Sequence, residues 1–289
     1  MYSITELGCQ NGNTLRLLSL IDREEADLHA NIEQDRKFGG HIHRKLFTSV
    51  KNTGIYLSCL YDNSLRFNVS FATDVSDPQV ISALCELLHE AEEMHPSLEA
   101  RFWFNAANAS LIRGLRESLD LWEEPWEGFE FTADQPVPRI ERPAGTDLRG
   151  YEASGLDCYL CLLEEAFIDI AEPNEFAGNR ESMGRILADK EAAGEFHALW
   201  EGDDLLGLYY LEGKKIEMLG VRPKQQGRGY GAFLLRDAIN RVLERKACCA
   251  AYLYCVASNW KATRFYSANG MRLSGHAMFV HRTRDNSKG

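Results

Sequence analysis

The chain has 289 residues, of which 45% are hydrophobic, 10% aromatic and 26% charged. At about 150 residues per domain that is room for two packed cores, and it excludes wholesale disorder. Lys and Arg number 32 against 43 Asp and Glu, a net charge of −11, which argues against nucleic acid or an anionic membrane as the main partner, because both need a basic field.

No stretch approaches the roughly 18 to 20 unbroken apolar residues of a membrane span. The start, MYSITELGCQNGN, has neither a basic nor an apolar region of a signal peptide, so a cytoplasmic location is expected. The eight cysteines are then read as reduced thiols, most of them in apolar surroundings. Cys158 and Cys161 have CxxC spacing. With no second pair at metal-ligand spacing, the run CYLCLLEEAF reads as a buried helix face.

In chain order, apolar residues between Leu15 and Lys37 predict one or two helices. His41-Ile-His43-Arg44 has alternate histidines that could bind a metal, but without a third ligand nearby a surface strand is the better account. Two strands follow at Ile55–Tyr61 and Leu65–Phe71. A helix over Pro78–Met94 has Asp77 as its cap and proline at its first position. A strand at Ala100–Asn105, a helix at Ala107–Leu119 and a strand at Gly128–Thr132 end the first half.

Residues 132–150 then hold three of the eight prolines, Pro136, Pro138 and Pro143, which forbid continuous helix. A boundary near Pro138 divides the chain into 1–137 and 138–289. The second half predicts helices at Asp157–Ile170 and Glu175–Ala192, strands at Phe196–Trp200, Leu205–Leu211 and Ile216–Val221, and a helix at Ala232–Arg245. A strand at Ala251–Val256, a helix at Trp260–Asn269 and a strand near Ala277–His281 complete it. Both halves share the order strand, strand, connection, helix, strand, helix, strand, which suggests a duplication.

The informative stretch joins the strand ending at Val221 to the helix from Ala232 through Gly227, Gly229 and Gly231. Alternate glycines permit positive φ and let amides converge where the helix begins, an arrangement that binds phosphate. Gly231 is followed by Ala232, so this is no Walker loop. A dinucleotide GxGxxG lacks its third glycine here, since residues 232 and 234 are Ala and Leu.

Gln226-Gly-Arg-Gly229-Tyr-Gly231, followed on the helix after the next strand by Asn259-Trp-Lys-Ala262-Thr-Arg-Phe265-Tyr266-Ser-Ala-Asn-Gly270, resembles the GNAT superfamily of acyl-CoA-dependent N-acetyltransferases. The resemblance covers about residues 140–283. It implies an α+β fold in which each half is a mostly antiparallel sheet flanked by helices. Acetyl-CoA is implied as co-substrate, with no metal.

By resemblance, the amides of Gly227, Arg228, Gly229, Tyr230, Gly231 and Ala232 cradle the coenzyme diphosphate, Gln226 helps close the nest, and the backbone of Leu219, Gly220 and Val221 pairs with the pantetheine arm. Tyr266 is the general acid for the departing thiolate; the alternative is a core aromatic pair with Phe265. Asn259 caps its helix or touches the coenzyme. Glu217 is the base that deprotonates the amine, or a solvated charge beside Lys214 and Lys215. Even spacing puts Glu217, Leu219 and Val221 on one face of an ideal strand. His197 is a second base or, more simply, a satisfied core histidine.

The acid-rich segment 157–192, with Glu164, Glu165 and Glu181 among its carboxylates, tilts the acceptor toward a small cationic amine. The first half departs from the family. Between Phe71 and Pro78 it has no glycine and carries Asp74 and Asp77, so it is expected to bind no coenzyme and to shape the acceptor cleft or a homodimer. Besides an N-acetyltransferase acting in a ternary complex, two other activities remain open: an acyl-CoA sensor without turnover and an acetyltransferase for protein lysines or N-termini. A nucleotide-binding regulatory domain is a further alternative.

Overall fold

The computed structural model describes residues 1–6, 12–23, 26, 42–61, 64–119, 125–168, 175–245 and 249–282. The chain forms two compact units: Met1–Glu130 with Val256–Ser258 and Leu273–Gly289, and Phe131–Cys255 with Asn259–Arg272. His41, the end of the first expected helix, Asp169, Glu172 and the C-terminal tail lie outside the described residues.

In the first unit, β1 (Ser3–Glu6) pairs antiparallel with β2 (Ile42–Thr48), β2 with β3 (Thr53–Tyr61), and β3 with β4 (Ser64–Phe71). β4 then pairs parallel with β5 (Glu99–Asn105). All of β4 is buried because helices cover both faces of the sheet. On one side lies α1 (Gly12–Leu18), whose Leu17 and Leu18 meet Ile55.

On the other side are α2 (Pro78–Met94) and α3 (Ala109–Ser118). α2 begins where the sequence places it: Asp77 Oδ1 accepts from Gln79 N at 3.0 Å, and Pro78 fills the first turn. Its stripe of Val80, Leu84, Leu88 and Ala91 packs on Phe67, Phe102 and Phe104. Phe67 and Phe102 stack 4.9 Å apart.

β12 (Arg272–Arg282), expected to finish the second half, instead pairs antiparallel with β5, from Ala277↔Asn105 to Arg282↔Ala100. Its own half offers no pairing for it there, because β6 (Trp126–Ala133), from the first half of the sequence, neighbours β11 (Ala251–Val256). The end of the sequence, from Leu273, therefore belongs to the first unit, while β6 passes from the first unit to the second at Phe131.

In the second unit the strand order runs from the end of β6 through β11, β10 (Lys215–Val221), β9 (Asp204–Glu212) and β8 (Phe196–Glu201) to β7 (Thr146–Arg149). β7 falls in the proline-rich stretch expected as a linker. The remainder of that stretch is anchored: Val137 N donates to Asn240 Oδ1 and Asn240 Nδ2 to Val137 O, both at 3.0 Å. One face of the sheet is covered by α4 (Leu156–Phe167), α5 (Glu175–Gly178) and α6 (Arg180–Ala192), around Tyr159, Leu163, Phe196 and Leu208. α7 (Tyr230–Glu244) packs against β9 and β10, and α8 (Trp260–Ala268) follows β11.

The expected burial of the CxxC thiols does not hold. α4 buries Leu156, Tyr159, Leu160, Leu162 and Leu163, so its period of 3.6 residues turns Cys158 and Cys161 to the exposed side.

In the first unit, fully buried Asn108 closes the end of β4. Phe71 N donates to Asn108 Oδ1 at 2.8 Å, and Asn108 Nδ2 donates to Phe71 O at 3.1 Å. Asn108→Ala strands Phe71 N, while Phe71 O keeps Asn105 Nδ2 as a donor at 3.2 Å. The variant is expected to lower the urea midpoint by the equivalent of about 1 to 3 kcal/mol; an unchanged midpoint would show that water replaces the amide.

Candidate functional site

The site begins where β10 and β11 part. They are parallel neighbours that share one register pair, Lys215↔Tyr252, supported by Tyr252 N donating to Lys214 O at 3.1 Å. Beyond it, β10 stays paired with β9 as far as Val221↔Gly207. The edge of β10 carrying Leu219, Gly220 and Val221 is thus released from β11 while its other edge is held. Gly220 lets α4 pack closely on this strand: a Cβ there would lie 3.2 Å from both Leu162 and Ala166.

The corresponding strands of the first unit do not part. β4 and β5 pair through six positions, from Ser64↔Glu99 to Val69↔Phe104.

Beyond Val221, the turn Pro223–Gln225 leads to Gln226, whose Nε2 donates back to Val221 O at 3.2 Å. Gly227 and Gly229 have φ of +77° and +89°. Open space surrounds the position of a Cβ at either, so the backbone conformation, and not crowding, demands glycine. Gly231 differs. A Cβ there would lie 3.3 Å from the Phe265 ring, so Gly231 lets α8 pack against the start of α7.

The first amide of α7 to find a carbonyl is Phe233 N, which donates to Gly229 O at 3.0 Å. Among the described residues, the amides from Gly227 to Ala232 donate to nothing. They stand at the positive end of a 15-residue helix dipole.

Side chains add to this field. Arg222 Nε is buried without a partner. Lys224, Arg228, Lys261 and Arg264 have no carboxylate partner among the described residues, in a chain of net charge −11. Arg264 lies 5.2 Å from the centre of the exposed Trp260 ring. This donor set fits a phosphorylated, polyanionic ligand.

In the first unit the helix that follows β4 is α2, whose start is capped by Asp77, and a second anion from the same connection caps α3. Asp74 accepts from Ser110 N at 3.1 Å, Leu111 N at 3.4 Å and Val75 N at 2.9 Å, so its carboxylate occupies the start of α3. Burial alone would raise the Asp74 carboxyl, but these bonds outweigh it and hold the group below its ordinary value.

Tyr266 lies on α8 with its ring 5.5 Å from Phe131 and 5.6 Å from Phe265. Burial, and secondarily the neighbouring Cys255, pushes its phenol up, so it is protonated at neutral pH. Among the described residues its hydroxyl takes no hydrogen bond. Asn259 caps α8, with Oδ1 accepting from Ala262 N at 3.1 Å.

Glu217 is not on an ideal strand. The β10–β9 register shifts between Ile216 and Met218, so Glu217 is the extra residue of a bulge, and the alternation that would align it with Leu219 and Val221 is broken. Ile216 takes the buried position upstream. Glu217 lies 2.8 Å from Lys215 Nζ. Its charge adds to burial in pushing up the phenol of Tyr210, which packs in the α4 core.

Much of the acid cluster on α4 to α6 serves structure. Glu164 accepts from Phe176 N and Ala177 N at 2.8 and 2.9 Å, and Asp157 pairs with Arg180 at 2.9 Å. Among the described residues no helix is long and apolar enough to cross a membrane, and no group of three His, Cys, Asp or Glu is placed to hold a metal ion. His43 lies 3.7 Å from Glu6.

His197 lines a cavity with Phe233, Asp237 and Arg241, and its ring lies 4.9 Å from that of Tyr209. Burial, and then the Arg241 charge, pushes it down to about 4. Protonation therefore favours the unfolded chain, and stability should fall as pH drops from about 6.5 through about 4. The urea midpoint of His197→Gln is expected to fall less steeply across that window, and parallel curves would contradict this.

Gly229→Ala forces a side chain into the left-handed region at a cost of roughly 1 to 2 kcal/mol. Affinity for coenzyme A, measured by calorimetry, is expected to drop about tenfold while the circular dichroism spectrum is unchanged. Undiminished affinity would remove the turn from the binding site.

Residues 163–271 match the acetyltransferase (GNAT) family model. A GCN5-related N-acetyltransferase from Sphaerobacter thermophilus is similar over 98% of this chain and 95% of its own, at 18% identity and a TM-score of 0.58. A GNAT-family acetyltransferase from Colwellia psychrerythraea is similar over 98% of this chain and 100% of its own, at 11% identity and a TM-score of 0.51. No curated protein matches. The chain has the GNAT fold, and residues 163–271, within its second half, match the GNAT family model.

Proposed function

We propose that residues 138–289 form an N-acetyltransferase that moves an acetyl group from acetyl-CoA to the primary amine of a small cationic acceptor, by direct attack in a ternary complex. The observation that carries this reading is the run of undonated amides from Gly227 to Ala232 at the end of a strand released from its neighbour. A diphosphate suits those amides, and an extended, amide-bearing arm suits the open backbone of Leu219 to Val221. Arg228 and Tyr230 contribute their amides, and Gln226 holds the turn shut. The first half, 1–137, has Asp77 capping α2, the helix that corresponds to α7, and therefore repels a phosphate there.

The amine must lose a proton before it can attack, and the departing thiolate must gain one. Glu217 is the group proposed to accept the first, with the bulge turning it away from the α7 face of β10. Tyr266 is proposed to supply the second. Its phenol holds its proton at neutral pH, and the desolvation responsible would equally raise the proton affinity of a thiolate beside it. The cationic acceptor is supported by Glu217 and by the net charge of −11. A reducing, coenzyme-supplied compartment such as the cytoplasm suits the exposed thiols Cys158, Cys161 and Cys249.

Tyr266→Phe tests the reading. With an amine panel as acceptors and thiol release as readout, kcat is expected to fall by roughly 10² to 10⁴, with coenzyme affinity changed by less than about twofold. Wild-type protein that binds acetyl-CoA but turns over no amine would favour a sensor, and an unaffected Tyr266→Phe would remove the proposed acid.

A further inference from the structure

The second unit contains a cavity of about 650 Å³ bounded by β7, β8 and α7, within the size range of small-molecule sites. Three guanidinium groups border it: Arg142, Arg149 and Arg241. The carboxylates present are already engaged. Asp237 Oδ2 accepts from Tyr209 OH at 2.5 Å and from Arg241 Nε at 2.6 Å, while Glu191 Oε2 accepts from Tyr151 N at 2.7 Å.

Asp147 lies 3.8 Å from Arg142 and 3.7 Å from Arg149, beyond hydrogen-bond reach of either. Arg149 donates to Gly202 O at 2.9 Å and keeps further donors, since each guanidinium carries five. His197, also at the wall, has Nε2 buried without a partner. Leu148 and Phe233 give the cavity an apolar side.

We propose that this cavity binds a small organic anion, a carboxylate or phosphate ester with an apolar body, held by the forks of Arg142, Arg149 and Arg241 and separate from the glycine turn. Guanidinium forks match both anions in geometry, and those of Arg142 and Arg149 have no carboxylate within hydrogen-bond distance, which favours a negative ligand. Phe233, Asp237 and Arg241 lie at i, i+4 and i+8 of α7, the helix whose first turn forms the amide nest. An anion bound here would touch the helix that opens the proposed coenzyme site.

Calorimetry on the full chain with phenyl phosphate, phenylacetate and benzyl alcohol tests this. At least one anion is expected to bind saturably while the neutral alcohol does not, and binding by one alone assigns the ligand to that class. Arg142→Ala and Arg149→Ala should each weaken binding about tenfold, and Arg149→Lys, which keeps the charge but loses the fork, less. Both side chains are substantially exposed, so these variants are expected to keep the fold, as circular dichroism would verify. Gly229→Ala should leave the binding intact. Equal binding of benzyl alcohol, full affinity in the double arginine variant, loss of binding in Gly229→Ala, or no saturable heat at millimolar probe would each overturn the proposal.

Discussion

A backbone hydrogen-bond donor released from a sheet must find a partner or water, and the candidate site rests on that constraint. β10 and β11 share a single register pair and then separate, while β9 holds the other edge of β10 in place. The released edge leads into a turn whose glycines adopt positive φ, and the turn leads into a helix whose first amides have no carbonyls to reach. The released strand edge and the amides of Gly227 to Ala232 thus leave unpaired donors on either side of a turn whose own amides, at Arg222, Gln225 and Gln226, are satisfied. Such donors are stable when they face water or an acceptor-rich ligand.

The first unit runs through the same element order and resolves the constraint oppositely. β4 and β5 remain paired through six positions. Asn108 then satisfies both backbone groups of Phe71, and Asp74 supplies a carboxylate to the amides of α3. One topology therefore serves two ends. Where side chains satisfy the donors, the strand end is sealed; where glycine replaces them, it is open and positive.

Much of this was legible in the chain. α2 could be placed to the residue because Asp77, Pro78 and a stripe of Val80, Leu84 and Leu88 are local signals of a cap and one buried face. The glycine turn was legible because positive φ and a following amphipathic helix leave marks within a dozen residues. The first-unit departure was legible for the same reason, through Asp74. Less could be read where the outcome depended on partners. The alternation rule assigned Glu217 to the face of Leu219 and Val221, and a bulge against β9 displaced it. The apolar run around Cys158 and Cys161 suggested burial, yet the helix buries only the side that meets Tyr159 and Leu163. The proline-rich stretch concealed β7 and the anchoring of Val137 by Asn240, a residue 103 positions away.

By itself, the sequence determined most of the elements and their order, though not β1 or β7, together with the conformations that only glycine adopts and the start of α2, all properties of neighbouring residues. The tertiary structure decided which strand pairs with which. β12 went to the first unit, β10 and β11 separated, and one extra residue on β10 turned Glu217. Strand partners and register depend on hydrogen bonds and packing between segments far apart in the chain, and a strand's own residues are compatible with several of them.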